Sequence, residues 1–329
     1  MAASTELPLR RGGTGDAVRD LQARLAALGF DSTGDGTGSY GAATERAVRA
    51  FQEQRGLRVD GACGRQTWSS LVEAGYRLGD RLLYLRQPML RGDDVLELQR
   101  ALGALGFDAG RVDGILGPNT TEALAQFQRN AGLTTDRICG PDSVRALRRF
   151  LAHVSDTTTV AHVREAERMR GGALDLRDRR LAVGEHGGLA ALADAVGHAL
   201  VDAGAVVAVL HEPDESNQAT EANGFVAEAY LGLGLRDEPG VHAAFYATGG
   251  FESVGGHHLA RLALEEVAAT IGEPAPEPTG MRLAILRETR MPAVVCELGP
   301  PGLVVERTGA LAEALARAIA RWITEPLDA

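Results

Sequence analysis

The chain is poor in cysteine, in basic charge and in long apolar runs, and each shortage removes a class of function. Three cysteines, Cys63, Cys139 and Cys296, form an odd set without C-x-x-C spacing. Neither a disulfide framework nor a cysteine-held structural zinc is expected from them; small buried thiols in a reducing compartment are. Basic side chains number 34 against 44 acidic ones, a net charge of -10. That balance repels phosphate backbones and anionic lipid, so no nucleic-acid partner is expected. No stretch approaches the ~20 apolar residues of a membrane span. The first residues also lack the basic segment and apolar core of an export signal. A cytoplasmic protein without a membrane span is the expectation.

What is present suffices for two or three globular units, since 329 residues with 45% apolar side chains exceed the usual ~100–200 residues per domain. Residues 16–31 overlie residues 93–108 in an internal repeat that continues for about sixty residues. In one copy Val18, Leu21, Leu25 and Leu28, and in the other Val95, Leu98, Leu102 and Leu105, recur at the three-to-four spacing of one helical face. Gly29 and Gly106 end these helices. A turn at Asp113 and Gly114 predicts a second helix, capped by Asn119 or Thr120 and running through Ala123, Leu124, Phe127 and Gln128. A third is predicted after Gly64 or Gly140, with Pro141 in its first turn and Trp68, Leu71, Val144 and Leu147 turned inward. Each copy, over residues 8–75 and 86–151, reads as a three-helix bundle. Copy one has a lengthened, Gly-rich turn at residues 33–40.

The pattern L-Q-x-x-L-x-x-L-G-F, then D-G-x-x-G-x-x-T, a-x-x-F-Q and G-L resembles the peptidoglycan-binding type 1 repeat. The resemblance implies a groove for glycan-peptide. Bundles of this kind can equally serve as protein-docking surfaces, and both uses stay open here. Residues 152–178 read as a connector with a short helix at 163–170. Thr157, Thr158 and Thr159 of the connector would be accessible to a Ser/Thr kinase, while an unmodified, solvated linker is the favoured reading.

From residue 179 to 325 short apolar runs alternate with amphipathic stretches. Runs at 181–183, 206–210, 230–233, 243–246, 282–286 and 293–297 read as strands. Helices are predicted at 189–203, through 222–225, and at 254–271 and 308–323. This alternation predicts an α/β sheet with covering helices. The fold expected for the whole chain is thus two helical bundles followed by an α/β sheet domain.

The stretch L-R-x-T-R-M-P-x-V-x-x-E-x-G from Leu286 to Gly299 resembles the zinc N-acetylmuramoyl-L-alanine amidases of the Amidase_3 family. The resemblance implies a histidine in a P-G-H-G-G loop after the first strand and a glutamate opening the next helix. It also implies a second histidine in S-x-H on a middle strand, and a late glutamate acting as general base. Three such ligands leave a fourth zinc position for a water whose pKa the metal lowers, while the carboxylate manages the proton. On this pattern His186 matches the first ligand and Glu297 the base. Gly234 stands where the second histidine belongs. No glutamate opens the helix after the loop, and Glu185 can fill that role only by leaving the first loop. Loss of even a hydrogen-bonded neighbour of a ligand costs a metal site ~10–100-fold, so no cofactor is expected; zinc enters only if the chain is an active amidase. A site rebuilt from other histidines is disfavoured, because His257 and His258 point about 100° apart on a helix. His198, His211 and His242 read as satisfied or solvated.

The entire arrangement resembles the CwlM-like family of actinobacteria. That implies a non-catalytic regulator of peptidoglycan precursor synthesis, with the enolpyruvyl transferase MurA as partner and Ser/Thr-kinase control. The alternatives are an active zinc amidase that cleaves the muramic acid–L-alanine amide, and a module that binds muropeptide or lipid-linked precursor.

Overall fold

The computed structural model describes residues 7–152, 165, 167 and 175–325. Apart from Glu165 and Glu167, the expected connector helix and the three threonines before it lie outside the described residues. Chain contacts divide the protein into two compact units, residues 1–161 and 162–329.

The first unit is helical: α1 (Asp16–Ala27), α2 (Ala42–Gln54), α3 (Arg65–Ala74), α4 (Asp93–Ala104), α5 (Pro118–Asn130) and α6 (Pro141–Leu151). The repeat geometry places Val18, Leu21, Leu25, Val48, Phe51 and Leu71 in one core, and Val95, Leu98, Leu102, Leu124, Phe127 and Leu147 in the other. The bonds that lock each bundle come from four buried glutamines. Gln52 donates through Nε2 to Asp60 Oδ1, the Ala62 carbonyl and Thr67 Oγ1 (2.7, 2.9 and 3.1 Å), and its Oε1 accepts from the Gly61 amide at 2.9 Å. Gln128 repeats the set with Asp136, Ile138, Ser143 and the Arg137 amide. Gln22 and Gln99 do the same for the preceding turns. A single amide thus satisfies a whole turn that would otherwise carry buried, unpaired backbone groups. This is the physical content of the L-Q and F-Q pairs.

All six helices start after a glycine that offers no side-chain cap. The expected caps Asn119 and Thr120 lie inside α5, which begins at Pro118, a residue with no amide hydrogen to satisfy. Thr120 is instead buried, accepting from Gln99 and donating to the Ala109 carbonyl. In the lengthened turn of copy one, Asp35 caps α2 from a distance, accepting from the amides of Thr44, Gly41 and Ala43 at 2.7, 2.9 and 3.2 Å. The Thr44 amide chiefly holds its carboxyl below the usual range. The repeats are joined by a bidentate pair in which Arg55 donates to both Asp93 oxygens at 2.7 Å.

The second unit is a mixed sheet with helices on both faces. Its elements are β1 (Arg180–Glu185), α7 (Ala190–Asp202), β2 (Val206–Leu210), α8 (Glu215–Gly224), β3 (Ala229–Leu235), β4 (Gly240–Thr248), β5 (Phe251–Glu252), α9 (Val254–Ile271), β6 (Thr279–Met281), α10 (Ala284–Glu288), β7 (Ala293–Gly299), α11 (Pro301–Glu306) and α12 (Thr308–Thr324). The strands run in the order β2-β1-β3-β7-β4-β5, with β6 beside β4. The first four are parallel, β4 is antiparallel to β7, and β6 is parallel to β4.

Strand alternation splits this sheet into two faces. Leu181, Val183, Leu231, Leu233, Val294, Cys296 and Leu298 join α7, α9 and α12 in the main core. The intervening residues form the opposite face, where Tyr230 meets Gln218 of α8. The run at 282–286, expected as a strand, is a correction: it forms the short helix α10 after the brief strand β6. Four or five apolar residues do not distinguish a strand from a buried helical turn. Here Ile285 and Leu286 are buried, and Glu215 accepts from the Ile285 amide at 3.3 Å, which favours the helix.

Candidate functional site

The residues singled out by sequence meet at the carboxyl ends of the parallel strands, where ligand sites of open α/β sheets are built. The registers are decisive. The His186 amide donates to the Leu233 carbonyl, which sets His186 beside Gly234, and Gly234 pairs with Glu297. Glu297 pairs in turn with His242 across the antiparallel ladder, and Thr279 of β6, in register with Ala244 two residues along β4, reaches back to the His242 ring. His186, Gly234, Glu297 and His242 therefore make one transverse row on the face opposite the core, and Thr279 adjoins its end from a position offset by two residues.

Glycines shape the row. A Cβ at Gly232 would lie 3.0 Å from His186 Nε2, 3.0 Å from Tyr230 Cε1 and 3.1 Å from Val295 Cγ2. The imidazole of His186 is thus folded onto Gly232, in the space a side chain there would take, and both of its ring nitrogens are buried. A Cβ at Gly184 would lie 2.0 Å from Gln218 Oε1 and 2.3 Å from the Tyr230 hydroxyl. Glycine is required there because Tyr230 donates to Gln218 Oε1 at 2.5 Å, and Gln218 donates to the Glu185 carbonyl at 2.7 Å. Burial pushes the Tyr230 phenol well above its ordinary pKa, keeping it a hydroxyl donor.

Glu185 is not part of the row. It precedes His186 by one residue, so its side chain leaves the sheet on the other face. There it accepts from the amides of Gly187 (2.8 Å) and Leu189 (3.2 Å), closing the turn into α7. His211 flanks it, Nδ1 3.7 Å from Glu185 Oε1 and Nε2 3.2 Å from Asp194 Oδ1. The expectation that Glu185 could substitute for a helix-opening ligand fails on this geometry. His257 and His258 diverge as helical geometry requires. His257 sits 2.7 Å from Glu252 and stacks on Phe245, whereas His258 contacts the Glu325 carbonyl and Arg261.

The donor set does not fit a catalytic zinc. Such a site needs three converging protein ligands with an open fourth position. The row offers glycine at 234 and a histidine whose ring lies over Gly232. Among the described residues, no group of three or more His, Cys, Asp or Glu side chains could hold a metal ion. Glu297 keeps its place, half-exposed, with Oε2 3.6 Å from His242 Nδ1. Sequence reasoning placed His186, Gly234 and Glu297 but missed Gly232 and Thr279. It also missed that His242 adjoins Glu297, because an antiparallel register across 55 positions leaves no local spacing signal.

The architecture defines a class, an amidase-type α/β domain preceded by two peptidoglycan-binding-type repeats. Comparison with known proteins agrees. The putative peptidoglycan binding domain matches residues 14–71 and 91–147. The chain is 34% identical over 331 residues to the N-acetylmuramoyl-L-alanine amidase CwlM of Mycobacterium tuberculosis, covering 88% of this chain and 81% of that protein. It is 35% identical over 169 residues to the amidase CwlL of Bacillus licheniformis, covering 45% of this chain and 47% of that one. The crystal structure of the amidase Ami1 from Mycobacterium smegmatis aligns over 45% of this chain and 98% of its own, with a TM-score of 0.39 and 14% identity. The chain belongs to the CwlM family of N-acetylmuramoyl-L-alanine amidase-type proteins. No helix among the described residues is long and apolar enough to cross a membrane.

Proposed function

We propose that this chain is a non-catalytic member of its family, a pseudo-amidase that regulates peptidoglycan precursor synthesis by docking to an enzyme of that pathway. One observation carries the reading: the row that would hold zinc has glycine at 234 and a histidine folded onto Gly232. Without an activated water, Glu297 has no proton to manage in amide hydrolysis. The six-helix unit then serves as docking surface, and a cytoplasmic setting puts precursor-making enzymes within reach. The enolpyruvyl transferase MurA is the expected partner and a Ser/Thr kinase the expected controller. A second use of the repeats, binding muropeptide or lipid-linked precursor, is supported by their match to the peptidoglycan binding domain.

Two measurements on the purified full chain test this. Zinc content without added metal should fall far below one equivalent, and muropeptides should stay uncleaved. One equivalent of zinc, with cleavage lost in Glu297→Ala, would establish the active amidase instead. A pulldown from native cytosol that recovers no precursor-synthesis enzyme would count against the docking role.

A further inference from the structure

Beyond the amidase row proper, Glu297, His242 and Thr279 form a succession of one ion-pair approach and one hydrogen bond that the regulator reading does not use. Glu297 Oε2 lies 3.6 Å from His242 Nδ1, and His242 Nε2 lies 3.0 Å from Thr279 Oγ1. The order is carboxylate, imidazole Nδ1, imidazole Nε2, hydroxyl, the sequence of groups that activates a hydroxyl nucleophile. A carboxylate on the Nδ1 side favours the tautomer that carries its hydrogen there, leaving Nε2 free to accept the threonine proton. The 3.6 Å gap is an ion-pair distance that must close on substrate binding to become a hydrogen bond.

Three features hold these groups in place. His242 is flanked on one side by Glu297 through the β4–β7 register and on the other by β6, which runs parallel to β4. Gly280 lets β6 approach closely, since a Cβ there would lie 2.6 Å from that of Ala247. Pro274, Pro276 and Pro278 stiffen the segment that delivers Thr279, because each fixes its own φ. Thr279 is an exposed residue at the sheet margin.

The geometry points to an acyl-transfer site in which Thr279 is the nucleophile and His242 the general base, with Glu297 as the residue that positions the imidazole. The substrate class is an activated carboxylic ester, and no metal takes part. Thr279 Oγ attacks the carbonyl carbon as its proton passes to His242 Nε2. The bond to the leaving oxygen then breaks, and that oxygen takes the proton from His242. This leaves an acyl ester on Thr279, which water hydrolyses with His242 again as base, returning free threonine and a carboxylic acid. General-base assistance of this kind contributes ~10²–10⁴-fold, and the methyl group of threonine slows attack by its bulk.

The test uses the full-length chain and p-nitrophenyl acetate, following p-nitrophenol release and mapping the acetylated peptide by mass spectrometry. The chain contains no lysine, all 34 of its basic Lys-plus-Arg positions being arginine, so competing amine acetylation is confined to the N-terminus. Acetate should appear on the peptide carrying Thr279. Thr279→Ala should abolish this adduct and His242→Ala should slow its formation about 100-fold, both with an unchanged circular dichroism spectrum. Thr279→Ser should acylate faster. Glu297→Gln should lower kcat about 10-fold at unchanged KM, a split that a purely structural role would not produce. Wild-type protein that gains no acetyl group on Thr279 under excess ester, or a Thr279→Ala variant that releases p-nitrophenol as fast as wild type, overturns the assignment. Neither result bears on zinc content or muropeptide cleavage, so this inference and the loss of amidase activity stand or fall separately.

Discussion

Replacing the missing ligand should not bring the metal back. In Gly234→His the new Cβ would sit 3.3 Å from Glu297 Cγ. The partly exposed Glu297 side chain can yield the few tenths of an ångström this demands, so the variant should fold. Zinc then requires His186 to leave its place over Gly232 and expose a buried ring. At the low end for burying a side chain of that size, about 1.5 kcal/mol, this weakens affinity about tenfold. The second ligand is still absent, which adds at least the ~10–100-fold that even an indirect neighbour is worth. A site that would otherwise hold zinc at about 1 nM is thereby weakened to about 0.1–1 μM. Titration of metal-free protein against a chromophoric zinc chelator measures this directly. Adding Gly232→Ala should recover part of the loss, because its Cβ would displace His186 Nε2 from 3.0 Å contact. One equivalent of zinc held by Gly234→His alone at about 1 nM would refute the claim that His186 is locked.

Gln52→Leu removes the amide that satisfies a complete turn and leaves the Ala62 carbonyl and Gly61 amide unpaired. At ~1–3 kcal/mol per buried group, copy one should lose about 2–6 kcal/mol, read as faster hydrogen exchange across residues 42–74, with copy two the internal control. The thiols of Cys63, Cys139 and Cys296, each pushed up to about 12 by burial, should resist alkylation at pH 8 until the chain is unfolded; rapid labelling of the native protein would contradict their burial. Backbone amides hold Asp35 and Asp136 below the ordinary carboxyl value. Their contribution is present above the unfolded value of about 3.9 and is lost as pH falls through the lower folded values. Acid unfolding of the helical unit should therefore begin earlier in Asp35→Asn.

The helical half was legible because its information is local. Val18, Leu21 and Leu25 state one face, and the second copy states it again. What local spacing hid was the role of the glutamines, since Gln52 looks like any polar residue at a helix end until the turn it satisfies is seen. In the sheet domain, His186 and Glu297 could be placed from motifs a few residues long. Their neighbours could not: Thr279 reaches His242 diagonally, from a strand whose parallel register sets it opposite Ala244, and Gly232 matters only through what lies against it. Residues 282–286 were misassigned for the opposite reason, since their apolar run carries no period and the contact that decides it comes from Glu215, 70 positions away.

The two faces of the sheet explain how residues of the row can change without loss of the fold. Val183, Leu233 and Cys296 pack into the core with α7, α9 and α12, and that burial is the dominant stabilising term. His186, Gly234 and Glu297 alternate with them and point the other way, so substitutions along the row scarcely touch the core. A buried cavity left by a missing ligand would still destabilise the domain. Here the space over Gly232 is filled by His186 itself, and that over Gly184 by Tyr230 and Gln218. On the proposed reading, the histidine in the first ligand's place serves as packing. On this account the row is a repacked surface, and its remaining polar members, Glu297 and His242, with Thr279 beside them, are free to serve chemistry or recognition that does not depend on zinc.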